Sequence, residues 1–121
     1  MITSLHAYII DDEKDVLEVV ELMLEEHFDC KVKKFTSIAQ AIKSLKKEKV
    51  VPDIIISDVK IPNENGLALK NILEENTIPN IPIIFITGLN GDDIIEEDLV
   101  MLSKPINKNT LYREIHRLIK K

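Results

Sequence analysis

The sequence predicts one α/β domain over residues 1–121, in which helices cover a parallel β-sheet. A strand-then-helix unit recurs about five times along the chain. Two predicted strands, residues 54–57 and 83–86, are Ile-rich runs, which are typical of strands buried on both faces of a parallel sheet. The chain has 121 residues, of which 45% are hydrophobic and 31% charged, so it can bury a single core.

The first two units follow from the spacing of apolar residues. Residues 7–10 are a short apolar run that predicts a strand, and apolar residues then recur at helical spacing over 16–24. Residues 31–35 predict a second strand, after which Thr36 or Ser37 can cap a second helix.

The middle of the chain is divided by turn-forming residues. Pro52 precedes the buried third strand, and Asn65 with Gly66 leads into a third helix. Residues 79–82 begin and end with proline, so they interrupt the chain before the fourth strand. These breaks separate the third strand and helix from the fourth strand.

The connection from the fourth strand to the fifth is unusually short. Only the twelve residues 88–99 are available to return the chain to the start of the fifth strand, residues 100–103, and a dozen is the lower end of the length that a parallel crossover needs. We therefore predict a fourth helix of one to two turns at most, or a loop in its place. A final helix is predicted over residues 108–119.

Polar side chains follow the predicted strands directly. Asp11 and Asp12 come after the first strand, Asp58 after the third, Thr87 after the fourth and Lys104 after the fifth. In open parallel sheets, ligands bind beyond the carboxyl ends of the strands. These five side chains are therefore expected to converge in one crevice.

The three acids in this set indicate a cation site. Asp11, Asp12 and Asp58 would repel one another, so they must take up a proton, a buried cation or a metal. Mg²⁺, a hard ion that binds oxygen ligands and keeps several waters, fits a shallow site best. One oxygen of Asp58 would remain available as a nucleophile for a phosphoryl group. Lys104 and Thr87 could then stabilise the oxygens of that group.

At these residues the sequence closely resembles the receiver domains of bacterial two-component response regulators. The matching segments are residues 9–13, 58–66, 87–88 and 104–105. The resemblance covers essentially the whole chain, and the ordered set of segments is far more specific than any one of them. It implies a flavodoxin-like (CheY-like) fold, a doubly wound five-stranded parallel sheet of strand order 2-1-3-4-5.

The resemblance also implies a function. Asp58 would accept a phosphoryl group from a phosphohistidine on a sensor histidine kinase or histidine phosphotransfer protein, and Thr87 and Lys104 would contact that group. The implied Mg²⁺ ligands are Asp11, Asp12, Asp58 and the backbone carbonyl of Lys60. The chain would be a phosphoacceptor that assists its own phosphorylation rather than an enzyme. It would regulate a downstream protein or an output domain that is absent from this chain.

The sequence departs from the family pattern near its end. Met101 stands where the family often has an aromatic switch residue, and Glu97 with Asp98 stands where a Gly-Ala pair is common. The segment from Thr87 to Lys104 is also shorter than usual by about one helical turn. These departures bear on the output surface rather than on phosphoacceptance.

Other functions remain to be distinguished. A pseudo-receiver would keep the fold and bind partners without being phosphorylated. A phosphatase of the haloacid dehalogenase type would need a second Asp at the position of Lys60, and a flavin binder would need a hydroxyl-rich loop in place of Asp11 and Asp12. Taken singly, the acids could also serve as helix N-terminal or turn residues.

Composition limits where the protein can be located and what it can bind. A net charge of −5 argues against direct nucleic acid binding. The sequence lacks an apolar run of about 18 residues, so we expect a cytoplasmic protein without membrane contact. The lone Cys30 excludes an internal disulfide and is interpreted as a packing residue. His6, His27 and His116 match no metal or catalytic spacing and are interpreted as surface or packing residues.

Overall fold

The computed structural model describes residues 4–48, 51–88 and 100–119. Each of its main elements carries the apolar pattern predicted for it. The elements in chain order are β1 (Leu5–Ile10), α1 (Lys14–His27), β2 (Cys30–Phe35), α2 (Ile38–Lys47), β3 (Ile54–Asp58), β4 (Lys60–Ile61), β5 (Glu64–Asn65), a 3-10 turn (Gly66–Ala68), α3 (Leu69–Glu75), β6 (Ile83–Thr87), β7 (Val100–Ser103) and α4 (Lys108–Ile119).

Five strands form the main sheet, in the order β2-β1-β3-β6-β7, and every neighbouring pair is parallel. Counted along this sheet alone, the order is the predicted 2-1-3-4-5. The register pairs Ile10 with Ser57, Asp58 with Ile86 and Thr87 with Ser103. The carboxyl ends of the strands are therefore aligned at one edge, which confirms the flavodoxin-like fold.

Alternate residues of the sheet supply two separate cores. Leu5, Ala7 and Ile9 of β1 pack in one apolar cluster with α1 and α4, whereas Tyr8 and Ile10 pack in a second cluster with α2 and α3. This division follows from the two-residue period of a strand. Helices on both faces make the sheet doubly wound, and β3 is buried along its whole length.

The structure resolves one predicted ambiguity and adds one element. Ser37, not Thr36, caps α2, because its Oγ accepts a hydrogen bond from the backbone N–H of Gln40 at 3.2 Å. The unpredicted element is a small antiparallel ribbon of β4 and β5, which pairs Lys60 with Asn65. Residues 89–99 lie outside the described residues, so the short fourth helix stays a prediction.

The first and last helices meet through aromatic side chains. His27 stacks on Tyr112 with ring centroids 4.2 Å apart, and its Nε2 lies 2.9 Å from Nε2 of His116. Cys30 is half-buried and packs against the apolar cluster that β1 forms with α1 and α4. These histidines and the cysteine have the packing roles expected for them.

A helix that crosses a membrane must be both long and apolar. In the parts of the chain that the structure describes, no helix is both long enough and apolar enough to do so.

Candidate phosphoacceptor site

The residues that directly follow β1 and β7 are still hydrogen-bonded to the neighbouring strands through their backbone amides. The amide of Asp11 donates to the carbonyl of Phe35 at 3.0 Å, which holds the end of β1 against β2. The amide of Lys104 donates to the carbonyl of Thr87 at 2.9 Å, which holds the end of β7 against β6. Side chains at these ends are consequently held by the sheet itself.

The structure brings the three predicted acids together. One carboxylate oxygen each from Asp11, Asp12 and Asp58 lies within 4.8 Å of the others. Asp11 is 1% exposed and Asp58 is 6% exposed, whereas Asp12 faces solvent. Two buried acids and one exposed acid thus lie together at the carboxyl edge of the sheet, as the alignment of the strand ends predicts.

Lys104 reaches into this cluster from the end of β7. Its Nζ donates a hydrogen bond to Oδ2 of Asp58 at 3.0 Å and lies 3.3 Å from Oδ2 of Asp11. Burial by itself would lower the pKa of Lys104, but the hydrogen bond to Asp58 and the charges of both acids raise that pKa above its usual value. Lys104 is therefore a fixed positive charge between the two buried acids.

Asp11 is the electrostatically unfavourable member of the cluster. Burial raises the pKa of its carboxyl, and the charge of Asp58 adds to that effect. The amide of Glu13, which donates to Oδ1 of Asp11 at 2.9 Å, and the ammonium of Lys104 oppose it. Among the described residues, Oδ2 of Asp11 is buried and has no hydrogen-bond donor, despite its ion pair with Lys104. This open carboxylate oxygen, beside Asp12 and Asp58, fits the ligand set of a hard divalent cation.

The loop after Asp58 is hydrogen-bonded to the Asp58 side chain within two residues. The amide of Lys60 donates to Oδ1 of Asp58 at 3.2 Å, so the Asp58 side chain forms a turn with the backbone two residues on. Such a turn is one of the roles that the sequence alone allows for this acid. A turn and a phosphoacceptor role are compatible, because Oδ2 faces Lys104 instead. The ligand role of the Lys60 carbonyl stays a prediction.

Gly66 allows this loop to close. A Cβ atom at Gly66 would lie 2.1 Å from the backbone carbonyl oxygen of Asp58 and 2.9 Å from Cα of Val59. The amide of Gly66 also donates to the carbonyl of Val59 at 2.8 Å. In the sequence, Asn65 with Gly66 could be read only as a turn before a helix; the close approach to Asp58 depends on tertiary structure.

Two further residues of the site are buried, Ser57 beside Asp58 on β3 and Thr87 on the neighbouring β6. Thr87 is buried at the last position of β6, one strand away from Asp58. Ser57, which the sequence reasoning missed, is fully buried, and its Oγ donates to the backbone carbonyl of Asp58 at 3.0 Å. The available signal was a hydroxyl residue inside an otherwise apolar strand. Its hydrogen bond satisfies the buried hydroxyl and ties it to the backbone of Asp58.

A family comparison decides what kind of domain carries this site. The model of the response regulator receiver domain matches residues 7–116 of the chain. This chain belongs to the response regulator receiver family. The receiver domain is thus placed in two-component signal transduction, as the resemblance implied.

Relatives of this receiver domain are longer proteins. Response regulator Rre1 of Synechocystis sp. is 29% identical over 117 residues, which are 92% of this chain and 50% of that protein. A response regulatory protein of Vibrio cholerae is 28% identical over 120 residues, which are 96% of this chain and 49% of that protein. The chain spans about half the length of these curated relatives.

Solved structures agree with the fold of the receiver domain. A response regulator from Chloroflexus aurantiacus superposes with a TM-score of 0.84 at 24% identity, covering 98% of this chain and 100% of that one. The receiver domain of a sensor histidine kinase from Pseudomonas aeruginosa has a TM-score of 0.76 at 23% identity, with 98% and 100% covered. That Pseudomonas structure has a magnesium ion coordinated in its active site cleft.

Proposed function

We propose that Asp58 accepts a phosphoryl group from a phosphohistidine on a sensor histidine kinase or histidine phosphotransfer protein, in a reaction that depends on Mg²⁺. The observation that carries this proposal is the arrangement around Asp58 at the strand ends. Its carboxylate is buried, lies within 4.8 Å of Asp11 and Asp12, and is paired with Lys104 at 3.0 Å. A nucleophile, a cation site and a fixed positive charge are therefore within reach of one another.

The charge balance supports a divalent cation. The cluster holds three carboxylates and one ammonium group, which pairs with two of them, and a phosphoryl group on Asp58 would add more negative charge to the same site. Asp11, Asp12 and Asp58 would hold Mg²⁺ together with the carbonyl of Lys60, since oxygen is the ligand that this ion prefers. When bound, Mg²⁺ supplies positive charge that neutralises the phosphoryl oxygens during transfer. The magnesium site of the Pseudomonas receiver domain supports this choice of ion.

The transfer itself exchanges one bond for another. An oxygen of Asp58 forms a bond to phosphorus while the N–P bond of the phosphohistidine breaks, and the imidazole leaves with the electron pair of that bond. Lys104 places its ammonium group beside Asp58, where it attracts the phosphoryl oxygens. Thr87 is proposed to donate its hydroxyl hydrogen to one of those oxygens after transfer.

Phosphorylation is proposed to regulate a partner by a population shift. Thr87 would move toward the phosphoryl group, and residues 88–99, which follow it directly, would reorder. Because this chain spans about half of its curated relatives, the regulated unit is proposed to be a downstream protein or an output domain. Changes in the amide chemical shifts of residues 88–99 on phosphorylation would support this; unchanged shifts would contradict it.

Intact mass measurement separates the phosphoacceptor from a pseudo-receiver. The protein is incubated with acetyl phosphate and Mg²⁺, and a mass increase of one phosphoryl group is expected. The Asp58→Asn variant should gain none, whereas the control Asp29→Asn, which changes an exposed carboxylate outside the site, should gain as much as the wild type. If the wild type gains no mass, or if Asp58→Asn gains it equally, the proposal is wrong.

A further inference from the structure

Glu64 makes an unexpected connection between the loop after Asp58 and the start of α2. Its Oε1 accepts a hydrogen bond from the amide of Ile38 at 2.7 Å, and its Oε2 accepts one from the amide of Ala39 at 3.0 Å. The two partners are 26 and 25 residues away in the chain. One carboxylate from the loop thus accepts hydrogen bonds from the first two amides of α2.

The helix does not depend on Glu64 for its ordinary cap. Ser37 already serves the amide of Gln40 through its hydroxyl and the amide of Ala41, at 3.4 Å, through its carbonyl. Glu64 takes the two amides that Ser37 leaves, so a negative charge lies at the positive end of the α2 dipole. The contact therefore supports both partners, the helix and the loop that carries Glu64.

The loop needs such a support more than the helix does. Residues 58–66 leave the sheet at Asp58 and close back against Asp58 and Val59 at Gly66. Between these points lies the ribbon of two two-residue strands. A ribbon of that length has little stability of its own. Among the described residues, its attachments are the amide of Lys60 on Asp58, the buried side chain of Ile61, the closure at Gly66 and the carboxylate of Glu64.

We propose that Glu64 is a positioning residue for the Mg²⁺ site: by fastening the ribbon to α2, it fixes the backbone of Lys60 beside Asp58. The inference rests on the proposed function, because it assigns to Lys60 the carbonyl ligand of the ion. Lys60 and Glu64 lie on the two strands of the ribbon, which joins Lys60 to Asn65 and Ile61 to Glu64. A shift of Glu64 is passed through this pairing to Lys60. The same path makes the start of α2 sensitive to the ion.

The test compares three variants of the whole chain. Glu64→Ala removes both contacts, and Glu64→Gln keeps one acceptor oxygen. Glu74→Ala is the control, since Glu74 is an exposed acid on α3 and its replacement changes the net charge equally. Mg²⁺ affinity is measured by calorimetry, and the amide shifts of Ile38 and Ala39 are followed during the same titration.

We expect Glu64→Ala to bind Mg²⁺ about tenfold more weakly, the lower end of the range for residues that hold metal ligands in place. Glu64→Gln should be intermediate and Glu74→Ala unchanged. At saturating Mg²⁺, the phosphorylation rate of Glu64→Ala should return to within about twofold of the wild type, because the nucleophile and Lys104 are intact. In the wild type the Ile38 and Ala39 amides should shift on Mg²⁺ binding, and in Glu64→Ala this response should be lost.

The outcomes separate the two proposals. If the wild type binds Mg²⁺ and Glu64→Ala binds it equally well, the positioning role is wrong and the proposed function stands. If the wild type binds no Mg²⁺, both are wrong. If Glu64→Ala does not fold, Glu64→Gln decides, since unchanged affinity and an unchanged Ile38 and Ala39 response in that variant would overturn the positioning role.

Discussion

Replacing Lys104 by methionine tests the electrostatic basis of the site. Methionine keeps the approximate length of the side chain and removes its charge. At an effective dielectric constant of about 20, the contacts of Lys104 with Asp58 at 3.0 Å and with Asp11 at 3.3 Å are each worth about 5 kcal/mol before desolvation. Desolvation cancels much of this, and removing one partner of a buried ion pair costs about 3–5 kcal/mol.

The expected loss for this site is smaller than for a fully buried pair. The side chain of Lys104 is 23% exposed, so water screens the acids that it leaves behind. We expect Lys104→Met to lower the free energy of unfolding by about 2 kcal/mol at pH 7 without Mg²⁺. A bound ion would replace the missing charge, so we expect saturating Mg²⁺ to reduce the loss by about 1 kcal/mol or more.

Urea unfolding with and without Mg²⁺ measures both quantities. Lys70→Met, which removes an exposed charge on α3, is the control and should change the free energy of unfolding by less than about 0.5 kcal/mol in either condition. If Lys104→Met is as stable as the wild type without Mg²⁺, the three acids do not strain the apo site. If its deficit is the same with and without the ion, Mg²⁺ does not substitute for the ammonium charge. Either result would refute the reasoning.

Three further predictions concern the stability of the fold. Gly66→Ala places a methyl group against the carbonyl of Asp58 and should lower the free energy of unfolding by about 1–3 kcal/mol in urea titrations; a neutral effect would mean that the loop can move away freely. Ser37→Ala removes the cap on Gln40 and should cost about 1 kcal/mol, measured in the same way, and no loss would contradict the capping role. Burial lowers the pKa of His6 below 6.5, although Asp53 opposes this, so the folded state favours the neutral ring. Its stabilising contribution is complete above the unfolded-state pKa of about 6.5 and is lost as the pH falls through that value toward the lower folded-state pKa. His6→Gln should therefore lose less stability than the wild type between about pH 7 and pH 5, and equal slopes in pH-dependent thermal unfolding would refute this.

The sheet and the convergence of the site were predictable because their signals are local and repeated. Ile-rich runs marked β3 and β6, and a polar residue after each strand marked the edge where the side chains meet. Asp11, Asp58 and Lys104 then come together as a geometric consequence of parallel order.

The remaining features depend on contacts distant in sequence. The ribbon has strands of two residues, too short to show the alternation by which a strand is recognised. Glu64 reads as an ordinary loop acid until the structure shows Ile38 beside it. Gly66 reads as a turn residue, and only the clash that a Cβ atom there would make with the carbonyl oxygen of Asp58 shows why a side chain is excluded. The roles of Thr87 and of the Lys60 carbonyl stay predictions.

The order of the strands also means that the acids and the lysine of the site are not held equally firmly. Its acids lie at the ends of β1 and β3, interior strands with a neighbour on each side. Its ammonium group follows β7, a four-residue edge strand that, among the described strands, pairs with β6 alone. Local unfolding of an edge strand generally costs less free energy than local unfolding of an interior strand. A displacement of β7 would therefore move the ammonium group of Lys104 relative to the acids, so the charge balance of the site depends on how firmly this one strand is held.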